Sequence, residues 1–401
     1  MNILTLAVGF PESLREATIS GEVKNAYSLV KLLERKGHEV YVVSAPTIWQ
    51  SNKKRILNPH LRITQKGIGS GIFRYLLRAI LMTPDIYSLL RNNRIDVFHC
   101  HSPVQLLPIW FALLVFRPCR NIPIFVTAHG TYLPEFYADV REAKGFRNFL
   151  KKINSWLQYR LDRFLYKRFN KVIVTSSYQI KEMQDIYKIP QKKLCIINNP
   201  AAIYFDKQYR NSAQVTSRKI KYKPGLIKLL FVGRFVKKKG LFNLIKAVNI
   251  LVEEDINVHL TCVGGGMIDL DMMSEINQFI QKNNLNKYIS FKLEVSEITL
   301  ARFYKDCDCL VVPSIGYESI PTVVIEGIKS GIKVFATGKW GVPEVLLDES
   351  LFLKENDIDD IVSKIKQYST NRVLNRPTPI SRLFGNEIVN SHEKIYLDHT
   401  T

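Results

Sequence analysis

The chain is expected to form two α/β domains, each a parallel sheet with helices wound on both faces, and three observations carry that expectation. Its 401 residues exceed what one hydrophobic core usually holds. Short apolar runs alternate with helix-period segments, first over residues 3–175 and again over 227–336, as when parallel strands are joined by crossover helices. Between the two series, residues 204–225 are polar, basic and unpatterned and close on Pro224-Gly225, a composition suited to a connection between domains. The boundaries are therefore set at 1–203 and 204–377, with 378–401 as a separate terminal segment.

The first series opens with Met1-Asn2-Ile3-Leu4-Thr5-Leu6-Ala7-Val8-Gly9-Phe10. It has no basic leader and no small-residue cleavage site, so it is read as a buried strand over 3–8 and not as a signal peptide. Further strands are expected at 40–43, 97–100, 124–127 and 172–175, with 196–200 as the last strand and its exit, and helices at 27–36 and 75–90. Residues 104–116 are the longest apolar stretch, interrupted by Gln105 and Pro108 and short of the roughly 20 residues a membrane span needs. The second series gives strands at 227–232, 258–263, 289–291, 310–312 and 333–336. Its helices are expected at 244–252, 276–282, 299–305, 322–329, 358–368 and 384–397.

Chemistry concentrates in two runs of the second series. After the apolar strand Cys309-Leu310-Val311-Val312 comes Pro313-Ser314-Ile315-Gly316-Tyr317-Glu318-Ser319-Ile320-Pro321-Thr322-Val323-Val324-Ile325-Glu326-Gly327, which places two carboxylates around a helix start. Pro321 is read as a first-turn helix residue, whose missing N–H costs nothing there. The amides of Thr322 and Val323 are then open to an anion that the helix dipole also favours. The other run, Leu229 to Gly240, is an apolar strand ending in Gly233-Arg234, with Lys239 five residues beyond the arginine. A planar guanidinium and a point-charge ammonium suit one diphosphate, whereas Lys237 and Lys238 are read as solvated.

These runs make the chain resemble a retaining glycosyltransferase of family 4, with the GT-B fold of two Rossmann-like domains. The likeness rests on Gly233-Arg234 and Lys239-Gly240, here with four residues between the cations, and on Glu318 and Glu326 with seven residues between them. Val263-Gly264-Gly265-Gly266 resembles the family's glycine turn, and Gly338-Lys339-Trp340-Gly341-Val342-Pro343-Glu344 its G-G-x-P-E turn. In the first half, Gly21 through Gly37-His38-Glu39-Val40 resembles the glycine loop, helix and strand entry, while 96–102 and Thr127-Ala128-His129-Gly130 resemble the paired histidine strands. Pattern departures are Ser20 beside Gly21, Leu293 near the base pocket and Pro321 after the first glutamate.

The resemblance implies transfer of a sugar from a nucleotide-diphosphate donor to a glycan or lipid-linked acceptor, in bacterial surface polysaccharide assembly. Arg234 and Lys239 would hold the departing diphosphate, Glu318 a donor-sugar hydroxyl, Glu326 the ribose diol, and His129 the sugar near the reacting carbon. Gly21, Gly233, Gly264, Gly265 and the amides of Thr322 and Val323 would lie against the donor, in a cleft between the domains, with the terminal helix crossing back to the first one. His99 and His101 are read as structural. A nucleotide-sugar epimerase and a donor-binding module without turnover are the alternatives.

No cofactor is expected, and no metal. Asp269-Leu270-Asp271 and Asp306-Cys307-Asp308 have the D-x-D form, but short acid pairs usually make turns and caps, and Arg with Lys already supplies the countercharge. Cys100, Cys119, Cys195, Cys262, Cys307 and Cys309 form no C-x-x-C pair, so free thiols in a reducing cytoplasm are expected.

The formal net charge of +21 is high. Residues 141–171 hold ten Lys or Arg against Glu142 and Asp162, with seven aromatics interleaved. That composition suits either an anionic membrane surface, where each cation is worth on the order of 1 kcal/mol, or a solvated helix with its aromatics packed inward. Nucleic acid is not expected, because no binding motif accompanies the charge.

Overall fold

The computed structural model describes residues 1–7, 21–44, 47–50, 53–57, 72–115, 121–129, 146–200, 225–264, 268–370 and 383–400. The chain separates into two compact units: of the described residues, 1–7, 22–200 and 385–400 fall in the first, and Gly21, 225–370 and 383–384 in the second.

In the first unit, strands β1 (Asn2–Ala7), β2 (Glu39–Ser44), β3 (Thr47–Gln50), β4 (Lys53–Leu57), β5 (Val97–Cys100), β6 (Ile124–Thr127), β7 (Lys171–Val174) and β8 (Leu194–Ile196) form one sheet in the order β4-β3-β2-β1-β5-β6-β7-β8. All neighbours are parallel except β2 with β3 and β3 with β4. This antiparallel edge has no counterpart among the expected elements, because its residues follow β2 directly and lack a buried apolar run. The last strand also differs: it ends at Ile196, so 197–200 are only its exit.

The helices are α1 (Gly21–Arg35), α2 (Ile72–Asn92), α3 (Leu106–Val115), α4 (Phe146–Tyr166), α5 (Ser177–Asp185) and a terminal helix returning from the second unit. Helix α1 buries Ala26, Leu29, Val30 and Leu33, the i, i+3, i+4, i+7 stripe of an amphipathic helix. Gly37, at φ 86°, then turns the chain into β2.

The second unit holds β9 (Ile227–Val232), β10 (Val258–Gly264), β11 (Ile289–Leu293), β12 (Cys309–Val312), β13 (Lys333–Thr337) and β14 (Phe352–Leu353), in the order β11-β10-β9-β12-β13-β14. Every pairing is parallel. Helices α6 (Leu241–Glu253), α7 (Leu270–Lys282), α8 (Glu297–Asp306), α9 (Thr322–Ser330) and α10 (Ile358–Thr370) cover it. Because β9, β12 and β13 are parallel neighbours, the turns that follow them emerge together at one edge, where open α/β sheets carry their ligands.

The terminal helix α11 (Gly385–Thr400) packs on the first unit. Ile388 meets Ile173 and Ile197, and Tyr396, fully buried, lies 5.0 Å from Phe125 and 5.9 Å from His99, ring centre to ring centre. Glu393 pairs with Lys36 at 2.5 Å and His38 at 3.1 Å, just past the end of α1. Truncating Tyr396→Ala should lower the unfolding free energy by about 3 kcal/mol, as loss of a buried aromatic does. An unchanged urea midpoint would show that α11 contributes nothing to that core.

Candidate functional site

In the second unit, backbone contacts tie the basic turn after β9 to the carboxylate turn after β12. Gly240 stands at φ 69°, and a Cβ there would lie 1.9 Å from the Pro313 carbonyl oxygen. The Ile315 amide donates to the Lys238 carbonyl at 2.9 Å, and a Cβ on Gly316 would stand 2.9 Å from the Lys238 Cβ. No side chain fits at Gly240, so the two turns close to backbone contact. As a result Lys239 Nζ donates to Glu318 Oε1, with both side chains about 15% exposed. Gly233 lies beside the aliphatic stem of Lys239. Arg234 is half-buried in the same turn.

A third turn completes this edge. A Cβ on Gly341 would fall 1.7 Å from the Ser319 carbonyl oxygen, and Thr337 Oγ1 donates to the Ser314 carbonyl at 2.8 Å. Trp340 sits at φ 56°, a conformation that costs a bulky residue energy. Its ring meets Tyr317 edge-on at 6.4 Å and lines a hollow with Val312, Ser314, Glu318, Pro321, Thr337 and Val342. Trp340 and Tyr317 were not among the expected site residues. The available signal was an aromatic side chain inside the turn Gly338-Lys339-Trp340-Gly341, flanked by two glycines.

Other expected residues are placed differently. Pro321 is the N-cap of α9 and not its first helical residue, with φ −62° and ψ 122°. It can neither supply a side-chain cap nor donate, so the half-buried Thr322 and Val323 open the helix. Glu326 is fully buried, and its Oε2 accepts from the Tyr304 hydroxyl at 2.8 Å. The expected reach toward a hydroxyl pair is not what this position shows, because the inner face of α9 packs against α8 and the sheet. Gly264 is also explained by internal packing, since a Cβ there would lie 2.4 Å from the Phe235 ring and 2.7 Å from the Gly233 carbonyl oxygen. Gly265 lies outside the described residues. Leu293, paired with Gly264 at the ends of β11 and β10, is 53% exposed.

Both D-x-D pairs have local structural roles. Asp269 caps α7 by accepting from the Met272 amide at 3.1 Å, and Asp308 Oδ2 accepts from the Lys228 amide at 2.8 Å. Cys100, Cys195, Cys262, Cys307 and Cys309 are free thiols. Cys119 lies outside the described residues.

Gly21 is the exposed first residue of α1. In the first unit, His129 ends a row of imidazoles. His129 Nε2 and His101 Nδ1 share a hydrogen bond of 2.9 Å, and their rings stack at 5.2 Å. His101 stacks on His99 at 4.8 Å, and His99 lies 5.6 Å from His392 of α11. His99 bonds Thr127 Oγ1 at 2.9 Å through Nε2 and the Tyr396 hydroxyl through Nδ1. Burial holds all four rings neutral, lowering His129 and His392 to about 4, with Asn199 partly opposing the shift at His129. His129 therefore offers a neutral hydrogen-bonding ring at neutral pH, not a cation.

The chain matches two family descriptions in succession: residues 19–202 match Glycosyltransferase Family 4 and residues 214–380 match Glycosyl transferases group 1. It is 24% identical over 352 residues to an uncharacterized glycosyltransferase of Methanocaldococcus jannaschii, covering 82% of this chain and 80% of that one. It is also 24% identical over 319 residues to an uncharacterized 41.2 kDa protein in the cps region of Klebsiella pneumoniae, covering 78% and 81%. Among solved structures, Anabaena HepE in complex with UDP and glucose superimposes with a TM-score of 0.66 at 15% identity, covering 99% of this chain and 100% of that one. That likeness establishes the shared fold.

Two predictions follow from this geometry. Gly240→Ala should destabilise the second unit by well over 2 kcal/mol, combining left-handed strain with backbone collision. Gly37→Ala, at φ 86° with nothing within 4 Å of the added carbon, should cost only about 1 kcal/mol; equal costs for the two would refute the clasp.

Because the histidine pKa values are depressed by folding, the stability they contribute is full above about 6.5 and declines as pH falls toward 4. Glu22 and Asp162, raised to about 7 by burial, act in the opposite sense between their unfolded values and 7. A His392→Gln chain should therefore show a stability slope lower by up to about 1.4 kcal/mol per pH unit between about pH 4 and 6. An unaltered slope would remove His392 from the linkage.

Proposed function

The chain belongs to the glycosyltransferases of family 4 and group 1, with the GT-B fold, and from that premise we propose that it is a retaining, metal-independent hexosyltransferase using a nucleotide-diphosphate sugar. The observation that carries this reading is the contact between Lys239 and Glu318, set by the backbone clasp of Gly240 on Pro313. A donor brings both a diphosphate and a sugar hydroxyl. It can exchange that single ion pair for two contacts, the ammonium on the phosphate and the carboxylate on the hydroxyl.

Transfer requires the glycosidic carbon to gain positive charge while the diphosphate leaves, so the barrier is largely electrostatic. Lys239 and Arg234 would stabilise the departing charge, helped by the amides that open α9. Gly21 and Gly233 are kept as donor-side positions, and His129 as a neutral hydrogen-bonding partner of the sugar. Glu326, fully buried and bonded to Tyr304, is given no donor contact in this reading. The Anabaena neighbour was solved with UDP and glucose, which makes UDP the first diphosphate to test. The acceptor is read as a glycan or lipid-linked saccharide, and the Klebsiella relative from a cps region supports a role in surface polysaccharide assembly. The enzyme would work in the cytoplasm, peripherally on the inner face of the plasma membrane. No described helix is long and apolar enough to cross a membrane.

Glu318→Ala should cut transfer by at least 10²-fold with the fold retained, in the range for loss of one preorganised group. Lys239→Ala should weaken nucleoside-diphosphate binding as well as turnover, measured by calorimetry and product release. Wild-type transfer by the first variant, or unchanged affinity in the second, would remove that residue from the site. Turnover that persists in EDTA is expected, and its abolition would overturn metal independence. Release of nucleotide at the same rate with and without any acceptor would favour an epimerase.

A further inference from the structure

Helix α4 packs Leu161, Leu165 and Tyr166 on the core, yet it also buries polar groups and exposes large apolar ones. Its buried face carries Ser155, Gln158 and Asp162 beside Leu165 and Tyr166. Its outer face exposes Ile153 (41%), Trp156 (57%), Leu157 and Phe164 (47%). On an ordinary solvated helix the carboxylate sits outside and the indole inside. The observed rotation buries Asp162, whose Oδ1 has no hydrogen-bond partner and whose pKa burial raises to about 7. Leaving a buried oxygen unpaired is unfavourable.

That face is cationic as well as apolar. Between residues 152 and 168, Lys152, Arg160, Lys167 and Arg168 are exposed, Arg163 is half-buried, and the one carboxylate, Asp162, points inward. The guanidinium of Arg160 lies 5.6 Å from the Trp156 ring centre, and that of Arg168 lies 4.5 Å from Phe164. Each aromatic thus has a cation one turn away along the same face. Trp110 of α3 meets Phe164 edge-on at 6.0 Å, and Leu114, one turn further along α3, is 65% exposed. The patch therefore continues beyond α4.

We propose that this face, centred on Trp156 and Phe164 with Arg160 and Arg168, docks the protein on an anionic lipid bilayer, with α4 lying in the plane of the headgroups. The inference deepens the peripheral-membrane part of the proposed function and stands apart from the transfer reaction. The chemistry favours lipid over the other occupants. Aromatic rings sit well at the headgroup boundary, with arginine reaching outward to phosphate. Ile153, Leu157 and Leu114 gain from hydrocarbon but have no role against a nucleic acid. A second copy of the same face would bring like charges together across the interface. By contrast, each exposed Lys or Arg raises affinity for an anionic surface roughly fivefold.

The test is co-sedimentation of the full chain with phosphatidylcholine vesicles, with and without 30% phosphatidylglycerol. Wild type should bind the anionic vesicles at least tenfold more tightly, and 0.5 M salt should weaken that binding. W156S/F164S and R160E/R168E should each lose at least tenfold. These positions are exposed, so both variants should keep the wild-type melting temperature and its shift with UDP, which separates loss of docking from failure of the donor site. Equal binding to both vesicle types, or none, overturns the proposal, as does full binding by W156S/F164S. Salt-sensitive retention on DNA without vesicle binding, or a dimer that R160E/R168E dissociates, would assign the face to another occupant.

Discussion

Close backbone approach at the edge of the second sheet is the constraint on which the candidate site depends. A glycine in the left-handed region at 240 lets the basic turn reach the Pro313 carbonyl, and the Lys238–Ile315 hydrogen bond fixes the two turns in register. Gly341 repeats the device against Ser319. Three turns from three neighbouring parallel strands are thereby locked through their backbones. Lys239 and Glu318, 79 residues apart in sequence, meet because the backbones behind them cannot separate. Each charge satisfies the other, which limits the cost of holding two partly buried charges side by side.

The first unit orders its site by a different means. Four imidazoles, from the ends of two strands and the terminal helix, pack in a row and stay neutral because they are buried. His129, at the end of the row, is positioned by His101, and His101 by His99, which in turn bonds Thr127 and Tyr396. The terminal helix is thus part of the structure that orients His129, although 263 residues separate His129 from His392 along the chain. A neutral ring can donate or accept a hydrogen bond but cannot neutralise charge.

Much of this was legible in the sequence, for physical reasons that can be stated residue by residue. Buried parallel strands are continuous apolar runs, so β1, β5, β6, β9 and β12 stood out, and the cation and carboxylate runs followed directly from strand ends. The edge strands β3 and β4 were not legible, because an antiparallel extension at a sheet edge needs no apolar run. The burial of Glu326 was missed because spacing along a helix says which face a residue is on but not whether that face meets solvent or a tyrosine from α8. The glycine at 264 was read as a ligand contact, whereas the ring of Phe235 accounts for it, since close approach by any atom excludes a Cβ. Composition revealed the charge and aromatics of α4 but not its rotation, because it does not say which stripe of a helix faces the core.

The account's central claim is that Lys239 and Glu318 form a preassembled pair that a nucleotide-sugar donor separates without moving the clasp behind it. A crystal structure of the chain with the tightest-binding nucleoside-diphosphate sugar tests this most directly. The account predicts Lys239 Nζ on a diphosphate oxygen, Glu318 on a sugar hydroxyl, and Gly240 still against the Pro313 carbonyl. A donor bound elsewhere, with Lys239 and Glu318 still joined to each other, would contradict it.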